Sequence, residues 1–483
     1  MSLPSVKEPL LNTFSAQKKE NIDVSKKIPQ SLRRKKPVEI PDLDETQIIR
    51  HFHHLSQRNF GIDTGMYPLG SCTMKYNPKL NEEIVGWHEF SCLHPYQHHS
   101  TVQGTLQMMY DLEKMLAELT GMKSFTLQPA AGAHGEFLGM LLARAYHEAN
   151  DDHKRVDVIT PDTSHGTNPA SVSMAGFNLV EIPSTEEGTV DVSVLKKTVS
   201  EKTACFMLTN PNTLGIFESD ILEIADIVHD AGGLLYYDGA NMNAIMGKVR
   251  PGDMGFDIVH LNLHKTFSSP HGGGGPGSGP IGVSERLIPY LPVPRIKKMN
   301  DEFSFDYDFP KSIGKIRGFY GNVDVLLRAY VYILMMGRDG LKKASEIAVL
   351  NANYLKKKIL EKPGFDLPYR ELRKHEFVLS AESLRKEKKI RAMDVAKRLL
   401  DHGVHPPTMY FPLIVKEALM IEPTETEPRK SLDDYAKVLH NIAKEDADTV
   451  KSAPKNTVVG RVDEVNATRN PILTWNQIKD SEK

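Results

Sequence analysis

The chain has 483 residues, 40% of them hydrophobic and 25% charged, which is the profile of an ordinary globular protein with one large domain and one or two smaller ones. A net charge of −2 gives no broad positive field, which excludes a general binder of nucleic acid or anionic membrane. Cys72, Cys92 and Cys205 form neither a CxxC pair nor a cluster with histidine, so a disulfide framework and a metal centre are not expected, and a reducing compartment is.

The N-terminal segment carries Glu8 and Glu20 among its lysines, unlike a transit peptide, and the basic run KKIPQSLRRKKP (26–37) reads as a solvated arm. No run of about 18 apolar residues offers a membrane span. A cytoplasmic protein is the expectation. Residues 1–100, rich in Pro, His and Gly, are expected to form an extended arm and interface segment. The spacing of Met108, Met109, Leu112, Met115, Leu116 and Leu119 then predicts a helix over 107–121 that stops at Gly121.

Beyond it, short apolar runs alternate with amphipathic stretches. VDVIT (156–160), ACFMLTN (204–210), LLYYDGA (234–240) and DIVHLNL (257–263) predict buried strands. LGMLLARAYHEA (138–149) and ILEIADIVHDAGG (221–233) predict helices between them. This order means an α/β fold with a mostly parallel sheet over 101–330. A long helix over about 324–360 leads to a small α+β domain (331–483), in which HEFVLSA (375–381), AMDVAKRLLDHG (392–403), ALMIEPT (418–424) and LDDYAKVLHNIAK (432–444) alternate strand and helix.

Ligands of parallel sheets sit beyond the strand ends, so the polar residues there carry the chemistry. QPAAGAHGE (128–136) is a small-residue loop entering a helix, which offers main-chain N–H groups to an anion, and no G-K-[ST] follows it. His165, Asn210 and Asp238 stand at successive strand ends, and Lys265 stands at the next, ahead of six glycines within 271–279. A phosphate loop, an imidazole, an amide, a carboxylate and a lysine in this order describe a pyridoxal-phosphate site. The lysine forms a Schiff base, the carboxylate keeps the pyridine nitrogen protonated, the imidazole stacks on the ring and the asparagine donates to the ring hydroxyl.

GMYPLGSCTMKYNP (65–78), SHGTNPAS (164–171), YYDGANMNAI (236–245), NLHKTFSSPHGGGGPGSGP (262–280) and MIEPTETE (420–427) resemble the glycine cleavage system P-protein family over about residues 45–445. SIGKIRGFYGN (312–322) is similar to subunit 2 of its two-subunit form. The resemblance implies fold type I of the pyridoxal-phosphate enzymes, the aspartate-aminotransferase type. It makes Lys265 the Schiff-base lysine, sets Asp238 at the pyridine nitrogen and His165 on the ring, and puts Ala131, Gly132 and Ala133 at the phosphate. It implies glycine as substrate, loss of CO2, and transfer of the aminomethyl group to the lipoyl arm of the H-protein, with Lys265 as proton shuttle. The implied partner is a homologous subunit 1 in a two-plus-two assembly. The family often has Gln where this chain has His134, which bears on the side-chain part of phosphate binding.

By the same resemblance, the glycines at 272–275, with Gly277 and Gly279, bring the loop close to the cofactor and leave room for the lipoyl arm. CTMKYNP (72–78) either lines the channel for that arm or is structural. HPYQHHS (94–100) reads as a loop near the site. Arg317, His405 and Thr408 are unranked candidates for the substrate carboxylate. The rival readings are another fold type I decarboxylase, aminotransferase or lyase, and a silent scaffold subunit, which would have no use for Lys265 opposite Asp238. A nucleotide-binding module is a third, and Pro276 and Pro280 break the helix it needs.

Overall fold

The computed structural model describes residues 8–11, 27–35, 40–41, 43–271, 277–474 and 476–478. They fall into two compact units, Gly65–Lys451 and a second made of Met1–Thr64 with Ser452–Lys483. In the latter, the helix Glu45–Ser56 opens on a capping box in which Asp44 accepts from the Gln47 N–H. Its His51 and His54 each meet a carboxylate oxygen of Glu8 at 3.1 Å. Residues 26, 36 and 37 of the basic run and glycines 272–275 lie outside the described residues.

The larger unit is built on seven strands, β1 (Ser124–Thr126), β2 (Asp157–Pro161), β3 (Asn178–Ile182), β4 (Thr203–Leu208), β5 (Leu234–Gly239), β6 (Ile258–Leu261) and β7 (Ile281–Val283). Their order in the sheet is β1-β7-β6-β5-β4-β2-β3. β2, β3, β4, β5 and β6 run parallel, while β7 is antiparallel to both β6 and β1. All of β4 and β5 is buried, as their unbroken apolar runs require, each large apolar side chain contributing about 1.5–3 kcal/mol. Helices α1 (Gln103–Thr120), α2 (Gly132–Ala149), α3 (Thr167–Met174) and α4 (Ile221–Asp230) connect and cover the strands.

The expected helix over 324–360 is α5 (Val323–Leu360), and it is not continuous. Gly337, at φ 59 and ψ −176, breaks it, a conformation that costs glycine little. Before the break, Val325, Leu326 and Leu327 join the core of the large sheet. After it, Ala352, Leu355 and Ile359 join a separate core. That second core lies under a three-stranded antiparallel sheet of β8 (Phe377–Ser380), β9 (Thr408–Met409) and β10 (Ala418–Ile421), ordered β8-β10-β9. Helices α6 (Ala392–Asp401) and α7 (Arg429–Lys444) complete it. No helix among the described residues is long and apolar enough to cross a membrane.

Candidate active site

The parallel strands deliver their polar residues to one edge. His165 follows β2, Asn210 follows β4, Asp238 is the fifth residue of β5, and Lys265 follows β6. His165, Asp238 and Lys265 line a single cleft, together with Thr209, Pro211, Asn241 and, from the small sheet's side, His375 and Glu376.

Asp238 is the most elaborately held of them. It is 2% exposed, and its Oδ2 accepts from the Asn168 amide at 2.9 Å. Its Oδ1 accepts from the Ala240 N–H at 3.2 Å and lies 3.2 Å from His260 Nδ1. Burial alone would raise this carboxyl. The neighbouring His260 and His165, the Asn168 bond and Lys265 together hold it below the usual carboxylate range. Asn168 also donates to Glu136 at 2.9 Å, and Thr167 donates to the other Glu136 oxygen at 2.8 Å. Burial, then the nearby Asp238 charge, pushes Glu136 up to about 7. Two carboxyl groups of one buried network are thus driven apart: Asp238 keeps the charge and Glu136 resists it. His165 is tied through Nδ1 to the Thr167 hydroxyl at 2.8 Å, and burial lowers its basicity although Asp238 opposes this.

Lys265, 7% exposed, donates from Nζ to the Ser71 carbonyl at 2.6 Å. Ser71 has φ 63, a left-handed conformation that turns its carbonyl toward the lysine and its N–H toward Glu376 Oε2 at 2.7 Å. The segment around it is fixed on both sides. Thr73 donates to Glu422 at 2.7 Å, Lys75 to Glu425 at 2.7 Å and Asn77 to Ser268 at 3.2 Å. These side chains of 72–78 are therefore committed to holding the segment in place.

At the start of α2, Ala131 is the N-cap and no side chain caps the helix, so the opening N–H groups present an anion site. His134 closes back on this loop, its Nδ1 accepting from the Ala130 N–H at 3.2 Å. Burial and then Arg317 lower its basicity. Gly279, after Lys265, serves this same loop. Gly279 donates to the Pro129 carbonyl at 3.2 Å, and a Cβ on Gly279 would lie 2.1 Å from the Ala131 carbonyl oxygen. Gly279 thus allows contact with the α2 loop backbone, which is a nearer reason for it than room for a second substrate. Gly279→Ala is expected to lower stability by about 1–3 kcal/mol through this main-chain collision. Urea unfolding monitored by circular dichroism checks it; an unchanged midpoint would show that the loop can yield.

Not every expected residue meets the cleft. The Asn210 amide is turned onto the main chain of Glu218, accepting its N–H at 3.0 Å and donating to its carbonyl at 3.5 Å. The adjacent Thr209 lines the cleft instead, with a buried hydroxyl that has no partner among the described residues. His94, His98 and His99 are exposed and absent from the cleft lining. His405 is stacked on Tyr67 at 3.6 Å, and Thr408 donates to the Gly70 carbonyl at 2.7 Å, so both support the 65–78 segment. Glu136 and Asn168, though inside the 128–136 and 164–171 segments, are not singled out by the sequence, and neither are His260, His375 and Glu376; their roles become visible only once the sheets bring them together.

A mostly parallel seven-stranded sheet with a lysine, a carboxylate and an imidazole at its strand ends, plus a small C-terminal sheet, defines a fold type I pyridoxal-phosphate enzyme. Solved structures agree on the fold: an inhibitor-bound glycine decarboxylase (P-protein) has a TM-score of 0.72 at 21% identity, covering 87% of this chain and 94% of its own. A NifS-like protein has a TM-score of 0.61 at 16% identity, covering 78% and 99%. The family described as Glycine cleavage system P-protein matches residues 5–301, and that described as Glycine dehydrogenase, C-terminal domain, matches 344–460. Relatives named probable glycine dehydrogenase (decarboxylating) subunit 2 are 59% identical in Thermococcus onnurineus and 58% in Pyrococcus abyssi, each covering 95% of this chain and 92% of the relative. The counterpart of the same name in Listeria monocytogenes is 58% identical over 92% and 91%. The chain belongs to the glycine cleavage system P-protein family, and its cofactor is pyridoxal 5'-phosphate.

Proposed function

We propose that this chain is the cofactor-bearing subunit of a two-subunit glycine dehydrogenase (decarboxylating). In this reading it releases the glycine carboxylate as CO2 and passes the aminomethyl group to the lipoyl arm of an H-protein. The observation that carries the reading is the convergence of Lys265, Asp238 and His165 on one cleft in a chain so similar to glycine dehydrogenase subunits.

The residues present fit the cofactor. The opening amides of α2 at Ala131, Gly132 and Ala133 are uncapped, and among the described residues the nearby Ser278 hydroxyl is buried without a partner, which suits a phosphate. Asp238, held ionised, would face the ring nitrogen, His165 would cover the ring, and Lys265 would hold the cofactor through Nζ. Thr209 is better placed than Asn210 for the oxygen on the ring. The bound cofactor supplies a sink for the electron pair left when the C–CO2 bond breaks. Asp238 keeps a proton on the ring nitrogen, and Lys265, when released, holds and returns a proton at Nζ. The near-complete burial of both groups excludes water from those transfers.

The reading extends to a homologous subunit 1 in a two-plus-two assembly, working in the cytoplasm. The test combines the chain, pyridoxal phosphate, that subunit, lipoylated H-protein and carboxyl-labelled glycine. Labelled CO2 accompanied by loss of the lipoyl disulfide is expected only with every component present. Release of CO2 that ignored the lipoyl group would instead make the chain another decarboxylase of the same fold.

A further inference from the structure

We propose that Glu376 receives the substrate's carboxylate, acting as a neutral carboxylic acid that donates its O–H, with Glu422 behind it as the ionised partner. This deepens the glycine reading above and rests on it. Glu376 immediately precedes β8, is 4% exposed and lines the cleft with Lys265. Among the described residues its carboxyl accepts one hydrogen bond, from the Ser71 N–H at 2.7 Å, and its Oε1 is 3.8 Å from His375 Nε2. Glu422, also buried, is saturated: Thr73 donates at 2.7 Å, Asn243 at 3.1 Å, and the Asn241 amide lies 3.1 Å from each of its oxygens. One ligand atom from each of His375, Glu376 and Glu422 lies within 4.8 Å of the others.

Two carboxyl groups so close and so buried do not both ionise, and hydrogen-bond donors favour the charged form. The charge therefore settles on Glu422 and the proton on Glu376, whose O–H is left to point at the cleft. Burial raises both carboxyls, Glu376 to about 8 with Glu422 adding to it and Glu422 to about 7 with its Thr73 and Asn241 donors opposing, an order in keeping with that division. His375 beside it is neutral, since burial and Lys265 lower it to about 3, and among the described residues neither of its ring nitrogens has a partner. Among the described residues, no arginine lines the cleft. The absence of a guanidinium suits a carboxylate that must leave as CO2. A fixed cation would stabilise the reactant's charge and lose that interaction as the charge departs, whereas a neutral donor holds the group without deepening the ground state as much.

The other groups facing Glu376 are Lys265, Asp238 and His165 across the cleft, Cys72 on the adjoining segment, and Glu425 beyond Glu422. The experiment uses the two-subunit holoenzyme and follows its visible spectrum during titration with glycine and with methylamine, which lacks the carboxylate. Titrations at several pH values spanning about 8 are expected to show glycine binding weaken as pH rises through that value, because an ionised Glu376 repels the ligand. Glu376→Gln retains a neutral donor and should remove that pH step while keeping glycine affinity near neutrality. Glu376→Ala should weaken glycine about ten- to a hundredfold and methylamine by less than about twofold. Equal losses for both ligands, or a pH step that survives in Glu376→Gln, overturns the assignment. Independently of any reaction, the infrared difference between the cofactor-free wild type and Glu376→Gln should contain a protonated-carboxyl band, distinct from those of the other buried glutamates; its absence from the difference also overturns the assignment. A failed lipoyl transfer with these readings intact would count against the proposed function alone.

Discussion

Lys265→Ala is expected to remove the visible absorbance band of the cofactor–protein adduct and to lower glycine decarboxylation by at least about 10²–10⁴-fold, the scale set by loss of a positioned acid–base group. The loss of the covalent anchor adds to this. The substitution leaves the Ser71 carbonyl without its donor, but it introduces no clash, and the 72–78 segment keeps its own bonds to Glu422, Glu425 and Ser268. The variant should therefore fold, which circular dichroism and assembly with its partner would establish. A wild-type-like spectrum in Lys265→Ala would remove the cofactor assignment and leave the scaffold reading in front.

The second large effect concerns Asp238. Asp238→Asn keeps the shape and removes the charge. Its new amide N–H groups face either the Asn168 amide or the Ala240 N–H, so a donor meets a donor at about 3 Å. A cost of about 1–3 kcal/mol in stability follows from the unmatched buried groups, and a fall of about 10²–10⁴ in kcat from a ring nitrogen no longer kept protonated. In the wild type, the folded value of Asp238 lies below the ordinary carboxylate range. Its charge thus supports the fold at neutral pH and is lost only as acidification passes below that range. Kinetics of Asp238→Asn beside Asp238→Glu test this: a glutamate variant no better than the asparagine variant would show that position, rather than charge, limits the reaction.

The large sheet was legible because β4 and β5 are wholly buried and carry uninterrupted apolar runs. β3 was not, since Asn178–Ile182 is an edge strand with mostly exposed side chains and no apolar run to announce it. β1 and β7 span three residues each, too short for a period, and pair only through tertiary contact. Lys265, Asp238 and His165 stood out because parallel sheets present ligands with strand ends. Glu136 and Asn168 did not, as they lie on helices and acquire meaning only by their approach to Asp238. His260 was hidden inside an apolar strand, and Glu376 and Glu422 at the borders of two short ones. Asn210 shows the reverse: the strand-end rule picked the right turn, while local bonding to Glu218 directed its neighbour Thr209 to the cleft.

The left-handed turn at Ser71 makes the lysine's readiness a competition. Lys265 Nζ donates to a main-chain carbonyl, and in the proposed reading that bond must be surrendered before the amine can act. The same residue's N–H anchors Glu376, and its neighbours are tied to both sheets. Ser71 therefore joins the two groups through one peptide turn: its carbonyl holds Lys265 Nζ and its N–H holds Glu376, so a change in that turn moves both.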